Sequence, residues 1–299
     1  MGRVQINRGG QATPRAILVC RVALVCFFTA QAVMLSGCAV LRSHLSVDQL
    51  LPQAGARGFE TVQSNDPGLI LLKKPSTTAA PLWIFIEGDG APFGKNGEES
   101  LSNPTPHHSI ALALALSLGE VGGAYLSRPC QYVALTTTGP CRDTSLWQAR
   151  RFGNQALDLA SSGMEALMRD TTGEIHLVGH SGGGVLARGL AAKYPARVRC
   201  IITLASPPDV ADWAKHHAIQ GLEVAQETSP NKLPAETTHY SFFGDQDKVI
   251  GPELVVAWHR QFLEMNNPNF YTGIVEATHS RGWLRFWKKQ KDRLCSAQL

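Results

Sequence analysis

"EIHLVGHSGGGVLARGLAAKYP", Glu174 to Pro195, is the stretch on which the reading of the fold turns. Its first half is a short, nearly unbroken apolar run, the pattern of a strand buried on both faces. From Val185 onward it is helix-forming and ends near Pro195. Between these parts, a tight strand-to-helix turn leaves no room for side chains beside its tip, so Gly179 and Gly183 would frame Ser181 as the residue pushed outward. Alone, the pattern fits a flexible glycine loop with a surface serine equally well. Between a strand and a helix it reads as a nucleophile elbow, with Ser181 Oγ at the helix N-terminus, where the dipole favours negative charge.

A serine hydroxyl is too weakly acidic to attack an acyl carbonyl unaided; a histidine must take its proton and a carboxylate must orient that histidine. Both are expected after later strands. In "FFGDQDKVI" Asp247 follows an apolar run by a short turn, and in "IVEATHSRGW" His279 follows the last one. Asp245 is the rival acid, and Asp209 a third candidate. The reaction also needs N–H donors aimed at the oxyanion. Gly182, just after Ser181, supplies one, and the turn "FIEGDG", Phe85 to Gly90, supplies the second from the Asp89 or Gly90 backbone. Glu87 and Asp89 in that turn would oppose an oxyanion if their side chains pointed inward. His180 either lines the pocket or fills space. Arg128 and Tyr132, just after another strand, either grip a substrate carboxylate or phosphate or serve as a salt bridge or loop anchor. No cofactor is required by this chemistry. His107 with His108, and His216 with His217, are adjacent pairs that point apart on a helix, so no metal site is expected.

The rest of the chain alternates brief apolar runs with longer amphipathic stretches, which predicts a mostly parallel central sheet with helices on both faces. Strands are expected at 69–74, 82–88, 124–127, 175–179, 199–205, 239–244 and 273–277, with a crossover helix within 147–168. Leu254, Trp258, Phe262 and Met265 recur at helical spacing and read as core. The basic segment with Trp283 and Trp287 reads as an amphipathic helix packed on the domain, or one touching a membrane. The longest loop is expected between Ala91 and Pro106.

The first 38 residues carry Arg3, Arg8, Arg15 and Arg21 and no acid, followed by an apolar run that ends in "LSGC". This resembles a bacterial lipoprotein signal, cleaved before an acylated Cys38; the alternative is a membrane anchor, for which the run is short. The division expected is signal peptide 1–37, anchor and linker 38–57, and one domain 58–299. Lys and Arg number 28 against 24 Asp and Glu, and the signal arginines account for the whole net charge of +4. A neutral mature chain without a basic, aromatic-interleaved run argues against nucleic acid as a partner. Ala39, not aspartate, after the cysteine points to an outer-membrane anchor with the domain in the periplasm. An exported chain permits disulfides: Cys130 and Cys141 bracket a short loop and are expected to pair, whereas Cys200 is either a free core thiol or bridged to Cys295.

From about Leu69 to Trp283 the chain resembles the α/β-hydrolase superfamily. Within it, "IEGDG", "NPTP", "YLSRPCQY", "GHSGGG" and "GDQDKVI" resemble a group of bacterial lipoproteins with that fold. The resemblance implies the α/β-hydrolase fold and a serine esterase, lipase or related hydrolase, without specifying the acyl group; the reading adopted is cleavage of an ester of a small or medium acyl substrate through an acyl-enzyme. An amidase or peptidase with the same triad, or a non-catalytic binding lipoprotein, are the competing classes. Glu-Gly stands at the oxyanion turn where many relatives carry His-Gly.

Overall fold

The structure, a computed structural model, describes residues 47–66, 68–75, 80–90, 104–119, 121–132, 139–265 and 268–295. The export segment, Cys38 with Ala39, and most of the long loop expected after Ala91 lie outside these residues. Part of the expected linker is helix: α1, Val47–Ala56, buries Leu50 and Ala54. There follow β1 (Glu60–Thr61), β2 (Leu71–Lys74), β3 (Leu82–Ile86), α2 (Ile110–Ala115), β4 (Gly123–Leu126), α3 (Asn154–Met168), β5 (Ile175–His180) and α4 (Gly182–Lys193). The chain continues through β6 (Val198–Leu204), α5 (Val210–His216), β7 (Thr238–Gly244), α6 (Pro252–Met265), β8 (Phe270–Val275) and α7 (Trp283–Gln290).

All eight strands form one sheet in the order β1-β2-β4-β3-β5-β6-β7-β8. Pairing is antiparallel for β1 with β2 and β2 with β4, and parallel from β4 through β8. Alternate residues serve opposite cores. Ile84, Leu177 and Ile201 pack against Leu157 and Met164 of α3 and Leu186 and Leu190 of α4. Phe85, Val178 and Ile202 pack with α1, with Leu112 of α2 and with Trp283 and Trp287 of α7. This double burial explains why the central strands read as unbroken apolar runs, since neither face meets water. Trp258 and Phe262 of α6 close a third cluster with Phe243 and with Trp213 of α5.

Two expectations shift. The crossover helix fills only the later part of the expected segment, Asn154–Met168, and is preceded by a separate short turn, Thr144–Leu146, capped by the Asp143 side chain. The last strand starts at Phe270, three residues before the expected Gly273. The expected Cys130–Cys141 disulfide is present, and the open choice at Cys200 falls to a bridge with Cys295; the Cα–Cα distances are 5.3 and 5.7 Å. The second ties the end of the chain after α7 to the start of β6. Among the described residues, no helix is long and apolar enough to cross a membrane.

Candidate active site

Ser181 stands between β5 and α4 with φ of 52° and ψ of −125°, a conformation that side-chain-bearing residues avoid. The close packing on either side explains the glycines. A Cβ on Gly183 would lie 2.3 Å from the Ile86 carbonyl oxygen, and one on Gly179 would lie 2.4 Å from Gly184 Cα. The Ser181 N–H donates to the Leu204 carbonyl at 2.8 Å, which fixes the tip over β6. At that tip Ser181 Oγ is 3.0 Å from His279 Nε2, and His279 Nδ1 is 2.9 Å from Asp247 Oδ2. A carboxylate only accepts, so Nδ1 carries the imidazole proton and the Nε2 lone pair faces the serine hydroxyl. Asp247 is held in turn by the N–H groups of Val249 (2.8 Å) and Ile250 (3.0 Å). Its carboxylate is sealed from solvent, whereas the His279 ring stays 24% exposed toward the site.

The rival acids are occupied elsewhere. Asp245 Oδ1 accepts from Ala277 N–H at 3.0 Å, and Asp209 caps α5 by accepting from Asp212 N–H. His180 has a contact that neither reading of it included. Its ring lines the cavity at Ser181, and its Nε2 donates to the His279 carbonyl at 2.7 Å, a bond shared with Trp283 Nε1 at 3.1 Å. Burial lowers the His180 pKa to about 4, so the ring is neutral near pH 7.

The turn after β3 forms the opposite wall. Glu87 is buried and accepts from Ser109 Oγ, from Tyr125 OH at 2.9 Å and from Gly88 N–H at 3.0 Å. Burial raises its carboxyl pKa, against the opposing pull of the hydrogen bonds from Ser109, Gly88 and Tyr125. Asp89 meets Arg128 Nη1 at 2.5 Å and Arg151 Nε at 3.3 Å. Both acids that would oppose an oxyanion are therefore answered, one by neutral hydrogen-bond donors and the other by two guanidinium groups. Since the Gly88 N–H is committed to Glu87, the Asp89 and Gly90 N–H groups remain as the donors this turn can offer across from Gly182. A cavity of about 350 Å³ lies between these walls, lined by Gly88, Pro106, Ile110, Trp213, Val249 and the Ser181–His279 pair among others.

A family model described as the alpha/beta hydrolase fold matches residues 166–228, the segment that holds the elbow. The chain has the α/β-hydrolase fold. The Pyrococcus furiosus esterase PF2001 superposes with a TM-score of 0.55 at 14% identity, covering 81% of this chain and 90% of that one. The Pyrococcus horikoshii acylaminoacyl peptidase gives a TM-score of 0.50 at 14% identity, covering 80% of this chain and 42% of that one. The serine hydrolase XC6422 from Xanthomonas campestris gives 0.46 at 14%, over 80% of this chain and 96% of that one. No curated protein sequence matches the chain.

On this hydrolase scaffold, Arg128 is placed differently from the pocket role considered for it. It is buried behind Asp89, its Nη2 donating to the Arg151 carbonyl, and Arg151 is the guanidinium that reaches the cavity wall. Tyr132 likewise turns to Glu87. His107 and His108 line the cavity, while His217 Nε2 donates to the Val249 carbonyl at 2.8 Å. Among the described residues, no group of three His, Cys, Asp or Glu is placed to hold a metal ion. Sequence reasoning missed Ser109, Gln131 and Arg151. Only the "SRPCQY" block, already set apart by resemblance, carried any signal for one of them.

Proposed function

We propose that the protein is a serine hydrolase that cleaves an ester through an acyl-enzyme. The observation that carries this reading is the unbroken relay of Ser181, His279 and Asp247 on a strained elbow. Ser181 Oγ attacks the carbonyl carbon while His279 Nε2 takes its proton. Asp247 stabilises the imidazolium without itself becoming protonated. The oxyanion meets the Gly182 N–H and an N–H of the Asp89–Gly90 turn. His279 then gives its proton to the departing alkoxide, and water repeats the sequence to release the acid and restore Ser181. A cavity of about 350 Å³ fits a small or medium acyl group. Labelling by a fluorophosphonate probe that disappears in Ser181→Ala supports the reading, and an unlabelled native protein ends it. A panel of p-nitrophenyl esters and matching anilides separates an esterase from an amidase.

The membrane association is part of the same proposal. Cys38, lipidated after removal of 1–37, anchors the domain to the envelope, at the outer membrane facing the periplasm. Several acyl chains on one residue give durable anchoring, at about 0.8 kcal/mol per buried CH₂. Cys38→Ala is expected to abolish lipid labelling and normal processing, and a native protein with an intact Met1 and no lipid would remove this part.

A further inference from the structure

The oxyanion turn is gripped residue by residue by one neighbouring segment. Tyr132 OH approaches Glu87 Oε2 at 3.4 Å, Gln131 Nε2 donates to the Gly88 carbonyl at 2.8 Å, and Arg128 Nη1 meets Asp89 at 2.5 Å. The order of the contacts reverses along the two segments, as in a short zipper. We propose that Arg128–Tyr132, locked by the Cys130–Cys141 disulfide, is a template that sets the oxyanion turn, with Gln131 as its central positioning residue. This rests on the serine-hydrolase reading and extends it to what aims the oxyanion donor.

The physical link is the planarity of the peptide bond. The Gly88 carbonyl and the Asp89 N–H belong to one trans peptide unit, so they point in opposite directions and turn together. Gln131 holds the oxygen of that unit, and thereby aims its N–H. On the preceding unit, Gly88 N–H is fixed by Glu87 Oε1 at 3.0 Å. An oxyanion donor is effective only within about 2.7–3.1 Å of the developing charge, so a rotation of this plane weakens the transition state more than the bound substrate.

The template is itself held under strain. Cys130 and Tyr132 have φ of 68° and 60°, in the left-handed region that residues with a Cβ rarely occupy. Such conformations persist where the surroundings over-determine them. Here Cys130 N–H donates to the Gly68 carbonyl at 2.6 Å, Tyr132 N–H donates to Thr105 Oγ1 at 2.7 Å, and the disulfide fixes the Cys130 side chain. Gln131 is fully buried, and its Oε1 accepts from Arg128 N–H at 3.2 Å, so both ends of the amide are engaged. A glutamine at this position therefore acts as a strut between the locked segment and the turn.

The test compares native protein with Gln131→Leu, using p-nitrophenyl butyrate for turnover and butylboronic acid as a tetrahedral mimic. Gln131→Leu is expected to lower kcat about 10- to 100-fold with KM within about twofold, and to raise the boronate Ki by the same factor as kcat falls. Arg128→Lys keeps a cation beside Asp89 but gives up the two-armed grip; it carries the same prediction should Gln131→Leu not fold by circular dichroism. A folded variant with kcat and boronate Ki unchanged, or with only KM altered, overturns the template. Absence of fluorophosphonate labelling in the native protein overturns the underlying reading instead, so the two failures are distinguishable.

Discussion

His176 and His180 sit near opposite ends of β5, and each faces a different cavity. Burial lowers the pKa of both to about 4. The cavity at His176, where the parallel strands begin, is the larger, about 630 Å³ against about 350 Å³ at His180. It is lined by Trp83, Tyr240, Tyr271 and the Cys200–Cys295 disulfide, and four of its charged residues form two ion pairs, Arg199 with Glu174 at 3.6 Å and Lys291 with Asp292 at 2.7 Å. The smaller cavity lies where the strands end, and there three loops bring Ser181, Asp247 and His279 together. If the proposed triad is the active site, volume is a poor guide to it on this sheet. Polarity of the strands is a better one, because the loops that leave their carboxyl ends converge on one edge.

The sharpest way to break this contrast is to disable one cavity at a time. Ser181→Ala is expected to lower ester kcat/KM at least about a thousandfold, while Tyr271→Ala in the larger cavity leaves it within about twofold. Comparable losses from both would mean that the larger cavity takes part in turnover. A smaller difference separates the acids at the carboxyl edge. Asp247→Asn should cost about 10³- to 10⁴-fold in kcat, because an amide can favour the wrong imidazole tautomer. Asp245→Asn retains an oxygen for Ala277 N–H and should cost less than about tenfold, measured on the same ester.

The two disulfides extend the contrast to stability. Cys200–Cys295 closes a loop of sequence separation 95, and Cys130–Cys141 one of 11. Chain entropy assigns them about 5 and about 3 kcal/mol, respectively. Replacing the far pair by serines should therefore lower the denaturation midpoint more than replacing the near pair, as read by urea unfolding. Turnover by the folded fraction should respond in the reverse order.

The finest comparison is between the histidines themselves. In the unfolded chain each titrates near 6.5, and in the fold only near 4, so between these values the unfolded state binds the extra protons. Their contribution to stability is present above 6.5 and is lost as the pH falls toward 4. Glu87, with its carboxyl pKa raised, has the opposite sign and contributes most below 4.5. His176→Leu and His180→Leu should each reduce the acid-side slope of stability against pH by up to about one proton. Of the two, only His180→Leu is expected to reduce turnover, by about tenfold, because it releases the His279 carbonyl. Equal kinetics in both variants would remove the positioning role of His180.

Much of the site was legible because its signals are local. A buried apolar run, a turn that admits only glycines, and a helix ending before proline are written within Glu174 to Pro195, and each follows from sterics among near neighbours. The chain order of Ser181, Asp247 and His279 followed from placing each after an apolar run. Boundaries were less secure. The helical part of the expected linker escaped notice because α1 is short and contains Pro52, and only its packing through Leu50 and Ala54 explains it.

The sequence by itself determined the alternation of strands and helices, the serine on its glycine-framed turn and the regions that hold the aspartate and histidine beside it. Tertiary structure alone selected Asp247 over Asp245, since a step of two residues in the turn after β7 separates a carboxylate facing His279 from one facing Ala277 N–H. It also paired Cys200 with Cys295, moved Arg128 behind Asp89, and brought Gln131 to the Gly88 carbonyl. The reason is one of range. Periodicity and turn chemistry arise between residues a few positions apart, whereas a hydrogen bond across 43 positions depends on which strands become neighbours, and here β4 lies beside β3.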